Sequence, residues 1–254
     1  MIKTSAAAHR FSPAEASRRI PSMTTTIHTA PHQTPVIASP RVTRRILIVD
    51  DQAPVRKSIR NLIELESPHL VCGEASNEAE FWVKIGDIRP DFVIMDISLG
   101  GEDGLRIVRD IRRSLFTCDI LVLSMHAETL YALDALRSGA NGYLMKADAA
   151  TNIARAIQRV VDHRVYLSDY MWNLLRNISE EPLPVSASRK MAALGMTHRR
   201  IFHLLSAGLS IDLISQFLGL ANADVIRYAL DTQKALGLPS LNSFRDFAEA
   251  SRKS

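Results

Sequence analysis

Five short apolar runs, each followed by a stretch of helical spacing, lie between Arg45 and Val161 and restrict the possible folds more than anything else in the chain. The runs are Arg45–Val49, Leu70–Ala75, Phe92–Met95, Ile120–Leu123 and Gly142–Met145. Each is short and nearly continuous in apolar side chains, the pattern of a strand buried on both faces. Helical spacing follows each run: Val55, Ile59, Leu62 and Ile63 to about Glu66; a segment that Asn77 can cap, to about Ile88; Ile107, Val108 and Ile111; Leu130, Leu133 and Leu136, ending near Gly139; and Ile153, Ile157, Val160 and Val161 behind a capping Asp148. Pro54 suits the first turn of the first helix. Strands alternating with helices require a parallel sheet covered on both faces. Its crossovers are right-handed, and its ligand site lies beyond the carboxyl ends of the strands. The sequence predicts an α/β domain with a five-stranded, doubly wound parallel sheet.

The residues at those strand ends carry the chemistry. The first strand closes on Asp50 and Asp51, the third on Asp96, the fourth on Ser124 and the fifth on Lys146. Taken singly, each has an ordinary reading: Asp50 can cap a helix, and Lys146 can be a solvated loop lysine. Together, in order and at matching ends, they form a specific constellation. Clustered carboxylates repel one another unless a cation sits among them, and hard oxygen ligands suit Mg²⁺. Aspartate is a competent nucleophile for phosphoryl transfer, giving an acyl phosphate. Transfer needs positioning and charge stabilisation, which Mg²⁺ and Lys146 supply, while Ser124 can donate to a phosphoryl oxygen. Asp96 is the expected phosphoacceptor. A phosphatase with an aspartate nucleophile is the competing chemistry, but such enzymes commonly carry a second acid two residues on, and Ser98 stands there.

On these residues, about Arg45 to Val161 resembles the receiver domain of bacterial two-component response regulators, a flavodoxin-like fold. The turn from Asp96-Ile97-Ser98-Leu99 through Asp103-Gly104 belongs to the match. The wording Leu123-Ser124-Met125-His126 and Gly142-Tyr143-Leu144-Met145-Lys146 is similar to the NarL/FixJ subfamily. The resemblance implies that a sensor histidine kinase phosphorylates Asp96, that Asp51 ligates Mg²⁺ directly, and that Asp50 is a second acidic ligand, often acting through water. It makes the Ser98 carbonyl a further ligand and Ser124 with Tyr143 the switch pair. It implies self-phosphorylation and autodephosphorylation, and no other enzyme activity. Two positions depart from the family: Gly100 and Ala147 stand where prolines are common.

Charge is segregated along the chain. Residues 1–45 hold seven Lys/Arg and one acid, residues 46–184 hold fifteen and twenty-one, and residues 185–254 hold nine and five. A basic tail after an acidic middle suits a regulator whose last part meets DNA. No apolar run approaches the ~18 residues of a membrane span, so no membrane partner is expected. Cys72 and Cys118 lie in strand-like settings and read as reduced core residues of a cytoplasmic protein. Residues 1–43 show no apolar period and read as a disordered basic extension; a transit peptide, or a true start at Met23, are the other readings.

Residues 164–195 read as a linker, with Tyr166-Leu167-Ser168 similar to the family's exit from the last receiver helix and Pro182 and Pro184 marking a compositional shift. Trp172, on its approach, is expected to pack on a helix. Residues 196–250 read as a small all-α domain. Thr197 caps a helix bearing Ile201, Leu204 and Leu205; Ser210 caps a second with Leu213, Ile214, Phe217 and Leu218; and a third carries Val225, Ala229, Thr232 and Leu236. A short fourth covers Ser243–Ala250. Two short helices joined at Gly219 read as a helix-turn-helix.

This part resembles the LuxR-type helix-turn-helix that ends NarL/FixJ regulators, on Met196-Thr197-His198-Arg199, Ala207-Gly208-Leu209-Ser210, Leu218-Gly219-Leu220 and Leu236-Gly237. Its DNA-facing positions diverge: Ala221, Asp224, Ile226 and Tyr228 replace the usual serine, threonine, lysine and histidine. Asn222 can cap the helix one residue late. Arg199, Arg200, Arg227 and Lys234 are the candidate phosphate contacts. The expected function is a response regulator that controls transcription through this domain and dimerises on phosphorylation. The alternative is an output domain that has lost specific DNA binding and acts through protein contacts or dimerisation.

Overall fold

The computed structural model describes residues 43–252. The expectations for the basic extension and for Met23 lie outside them. The described residues belong to one compact unit.

The first half is the expected sandwich. β1 (Arg45–Val49), β2 (Leu70–Ala75), β3 (Phe92–Met95), β6 (Asp119–Ser124) and β7 (Gly142–Met145) form a parallel sheet in the order β2-β1-β3-β6-β7. The short β4 (Ser98–Leu99) and β5 (Glu102–Asp103) pair separately. Chain order reverses about β1, so a crevice opens beyond the ends of β1 and β3, where α/β sheets bind ligands. Alternation covers both faces. Ile46 and Ile48 of β1 pack under α1 (Ala53–Glu66) and α5 (Ala149–Val161), while Leu47 and Val49 join the opposite cluster with α2 (Glu78–Ile88) and α3 (Gly104–Arg113). α4 (Glu128–Arg137) lies against β7.

Capping was legible at some ends only. Asn77 accepts from the Glu80 N–H at 2.9 Å and starts α2 as expected. Asp148 occupies the position before α5 but makes no capping bond, because Lys146–Asp148 forms a 3-10 turn that leads into the helix. Asp103, which was not singled out as a cap, accepts from Leu105 N–H and starts α3.

The 164–195 stretch is largely helical. Ser168 caps α6 (Asp169–Glu180), and α7 (Val185–Lys190) follows Pro184. Tyr166 bridges to Gly142 at the sheet edge before α6 begins. Trp172 packs as expected, stacking on Phe217 with ring centroids 5.8 Å apart.

The terminal helices are α8 (Met196–Ser206), α9 (Ile211–Leu218), α10 (Asn222–Leu236) and α11 (Phe244–Arg252). Ser210 caps α9. Gly219 adopts φ 67°, and three residues separate α9 from α10, the join of a helix-turn-helix. Two expected caps are corrected. α8 starts one residue before Thr197, with Gly195 at its cap and no side-chain bond. Asn222 is already helical and donates to Asp212 instead, so α10 starts from Ala221 without a side-chain cap.

Candidate phosphoacceptor site

Parallel pairing sets the site. Val49 lies opposite Met95, which brings Asp50 and Asp96 level just past the sheet. Both carboxylates are buried, at 2% and 3% exposure, whereas Asp51 is exposed. One oxygen from each of Asp50, Asp51 and Asp96 falls within 4.8 Å of the others. Lys146, carried by the end of β7, reaches across β6. Its Nζ lies 2.6 Å from Asp50 Oδ2 and 2.7 Å from Asp96 Oδ2. Arg56 holds the strand end by donating to the Asp50 carbonyl at 2.7 Å.

Burial dominates the electrostatics. It pushes the Asp96 carboxyl above its ordinary range; the Lys146 bond works the other way without cancelling it, and the charge of Asp50 adds to the rise. Burial works to lower Lys146, but its bonds to Asp50 and Asp96 win and leave it raised. The site therefore holds a charged ammonium against two buried carboxylates, and one positive charge faces three acids.

The loop after Asp96 is tighter than its glycines alone suggested. β4 and β5 form a hairpin whose two turn residues, Gly100 and Gly101, have φ of 60° and 96°. Positive φ at both positions is the requirement of a type I′ turn. Glycine at 100, where the family often has proline, fits that geometry: proline is held near φ −65°.

Ser124 and Tyr143 meet through a residue to which the sequence assigned no role. His126 N–H donates to Ser124 Oγ at 3.1 Å, and its carbonyl accepts from the Tyr143 hydroxyl at 2.8 Å. Its ring shares a 3.0 Å hydrogen bond with Ser98 Oγ. One residue thus touches the acidic loop and both members of the expected switch pair. Tyr143 is fully buried, and burial pushes its hydroxyl up to about 12. Glu128 was also overlooked. It is buried, raised by that burial, and accepts from both the Ser168 N–H at 2.8 Å and the Ser168 hydroxyl. No spacing rule marks either residue, because the contacts that join His126 to Ser98 and Tyr143, and Glu128 to Ser168, lie far apart in sequence.

The four candidate DNA contacts are not brought together in one setting. Arg227 and Lys234 are exposed on α10, but Arg227 donates to Asp224 at 2.7 Å and lies 4.6 Å over the Tyr228 ring. Arg199 and Arg200 are half-buried on α8, with Arg200 6.0 Å from the Phe217 ring.

A family model of the response regulator receiver domain matches residues 46–158. The transcriptional regulatory protein YvfU of Bacillus subtilis is 30% identical over 184 residues, which is 70% of this chain and 91% of that relative. This chain belongs to the two-component response regulators of the NarL/FixJ family. Response regulator UvrY of Escherichia coli is 31% identical over 186 residues, 72% of this chain and 83% of the relative. The fold of a Salmonella typhimurium RcsB response regulator is shared over 82% of this chain and 98% of that one, at TM-score 0.52 and 18% identity. The response regulator fold thus extends through the terminal helices. Among the described residues no helix is long and apolar enough to cross a membrane.

Proposed function

We propose that this response regulator is switched by phosphorylation of Asp96 by a sensor histidine kinase and passes the signal to its helix-turn-helix to control transcription. The observation that carries the reading is the Lys146 ammonium held between Asp50 and Asp96. An Asp96 oxygen attacks phosphorus as the P–N bond of a phosphohistidine breaks, and the imidazole nitrogen keeps the electron pair and takes up a proton. Lys146 then lies next to the new acyl phosphate and offsets its charge. Ser98 N–H, 3.3 Å from Asp96 Oδ1, helps to orient the carboxylate.

The donor set fits Mg²⁺: three carboxylates offer hard oxygens within one small volume, and Lys146 offsets only one of their charges. Asp50, Asp51, Asp96 and the Ser98 carbonyl would hold the ion. When bound, it supplies positive charge to the phosphoryl oxygens. Exposed Asp51 leaves a route from solvent.

Ser124 turns its hydroxyl to a phosphoryl oxygen and gives up the His126 N–H. Because His126 also carries the Tyr143 hydroxyl, that step reaches the face of α4 and β7, and through it dimerisation and the terminal helices. Regulation of transcription is supported by the relatives, among them a Mycobacterium tuberculosis protein named as the DNA-binding transcriptional activator DevR/DosR, 27% identical over 216 residues. Arg199, Arg200, Arg227 and Lys234 are the proposed phosphate contacts.

The test is incubation with Mg²⁺ and a small acyl phosphate, followed by intact mass. One added phosphoryl group is expected, absent in Asp96→Asn; label that survives the substitution defeats the assignment.

A further inference from the structure

We infer that α10 reads DNA through thymine methyl groups, by an apolar strip formed by Ala223, Ile226 and Leu230. This rests on the DNA-binding reading above and names what that surface selects.

Val225, Ala229, Thr232 and Leu236 form the buried face of α10. The opposite face carries Ala223, Ile226 and Leu230 in one strip and Arg227 and Lys234 in the next. Ile226 is 41% and Leu230 50% exposed. A helix that enters a major groove usually reads base edges with long polar side chains. Here the polar groups at the start of the helix are engaged within the protein. Asn222 donates to Asp212, and Arg227 is held by Asp224 and Tyr228. Asn222 and Arg227 stay exposed but carry these partners, and the side chains beside them at the outer surface, Ala223, Ile226 and Leu230, are apolar.

In the major groove the apolar feature is the thymine C5-methyl. Ile226 and Leu230, one turn apart, give a pair of contacts along the groove. On α10 itself Arg227 and Lys234, beside the strip, are balanced by Asp224 and Asp231, but residues 185–254 as a whole hold nine Lys/Arg against five acids, the sign that suits duplex DNA. Such a surface takes duplex DNA with thymines in its central steps, positioned by phosphate contacts and selected by methyls.

The probe is a random-sequence duplex library selected on the full chain after treatment with acyl phosphate. The retained duplex is remade with deoxyuridine for single thymidines, which removes only the methyl. Binding is expected to weaken about fourfold at each contacted position, the scale of one buried methyl group. Ile226→Ala and Leu230→Ala should abolish that difference while leaving the salt dependence unchanged; both are exposed, and alanine favours helix. Equal binding of the uracil duplex overturns the proposal and leaves the DNA reading standing. Failure to retain any duplex overturns both. Loss of self-association in Ile226→Ala, with uracil-insensitive binding in the parent, assigns the strip to a second copy of the chain instead.

Discussion

Gly104 and the Asp96 carbonyl are in backbone contact: a Cβ at position 104 would overlap the Asp96 oxygen and crowd Ile97 Cα. The Gly104 N–H also donates to the Ile97 carbonyl at 2.8 Å, closing the hairpin onto the start of α3. Backbone cannot yield as a flexible side chain can. Gly104→Ala is therefore expected to cost about 2–3 kcal/mol, the scale of overpacking, and to slow phosphorylation of Asp96. Thermal melts and the intact-mass time course check the two effects separately.

Lys146→Ala leaves Asp50 and Asp96 buried without their cation. Breaking a buried pair from one side costs about 3–5 kcal/mol, so a large fall in Tm is expected without divalent ions. Millimolar Mg²⁺ should recover part of it, because the acids remain. Phosphorylation should fall by roughly 10²-fold or more, the scale of removing one charge-stabilising group. A variant as stable and as rapidly phosphorylated as the parent would exclude the charge-balancing role.

The buried Glu128 gives a pH dependence with a defined sign. Burial raises its carboxyl in the fold. A group raised in this way contributes stability in its protonated state, below the ordinary carboxylate range, and loses it as pH rises through the folded value. Parent stability should therefore decline across that window relative to Glu128→Gln, which cannot ionise. Denaturant melts of the two proteins from pH 4 to pH 8 check this: the difference must move towards the variant as pH rises.

Arg137 joins the two halves. Its guanidinium donates to the Ala207 and Gly208 carbonyls at the end of α8 and to Asp134 in its own helix. Gly208 leaves the space for it; a side chain there would overlap the guanidinium. Arg137→Ala is expected to raise amide exchange around Ala207–Ser210 and to leave Asp96 phosphorylation within about twofold, since Asp96 and Lys146 make no contact with Arg137. An unchanged exchange pattern would show that packing alone holds the halves together.

Tyr143→Phe removes the donor to the His126 carbonyl. The expected cost is about 1 kcal/mol. Phosphorylation should persist, while any phosphorylation-dependent dimerisation, read by light scattering, should weaken.

Much of the site was legible because it is written in local patterns. Continuous apolar runs can end only at the edge of a buried sheet, so the residues after them, Asp50, Asp51, Asp96, Ser124 and Lys146, were identifiable from spacing. Caps with a free local partner, Asn77 and Ser210, were legible for the same reason. Asp148 and Asn222 failed because a 3-10 turn and the Asp212 carboxylate competed for those positions.

What the sequence by itself determined is the order of strands and helices, and the set of reactive groups that this order delivers to one edge. Periodicity and residue type suffice for that, since both follow from local geometry and burial. Only the tertiary structure decided that Lys146 bridges two acids, that His126 links Ser98 to Ser124 and Tyr143, and that Glu128 and Arg137 fasten distant segments. Those relationships depend on strand register and on how helices seat against the sheet. Many sequences satisfy the same local pattern while differing in these contacts, so the pattern alone does not contain them.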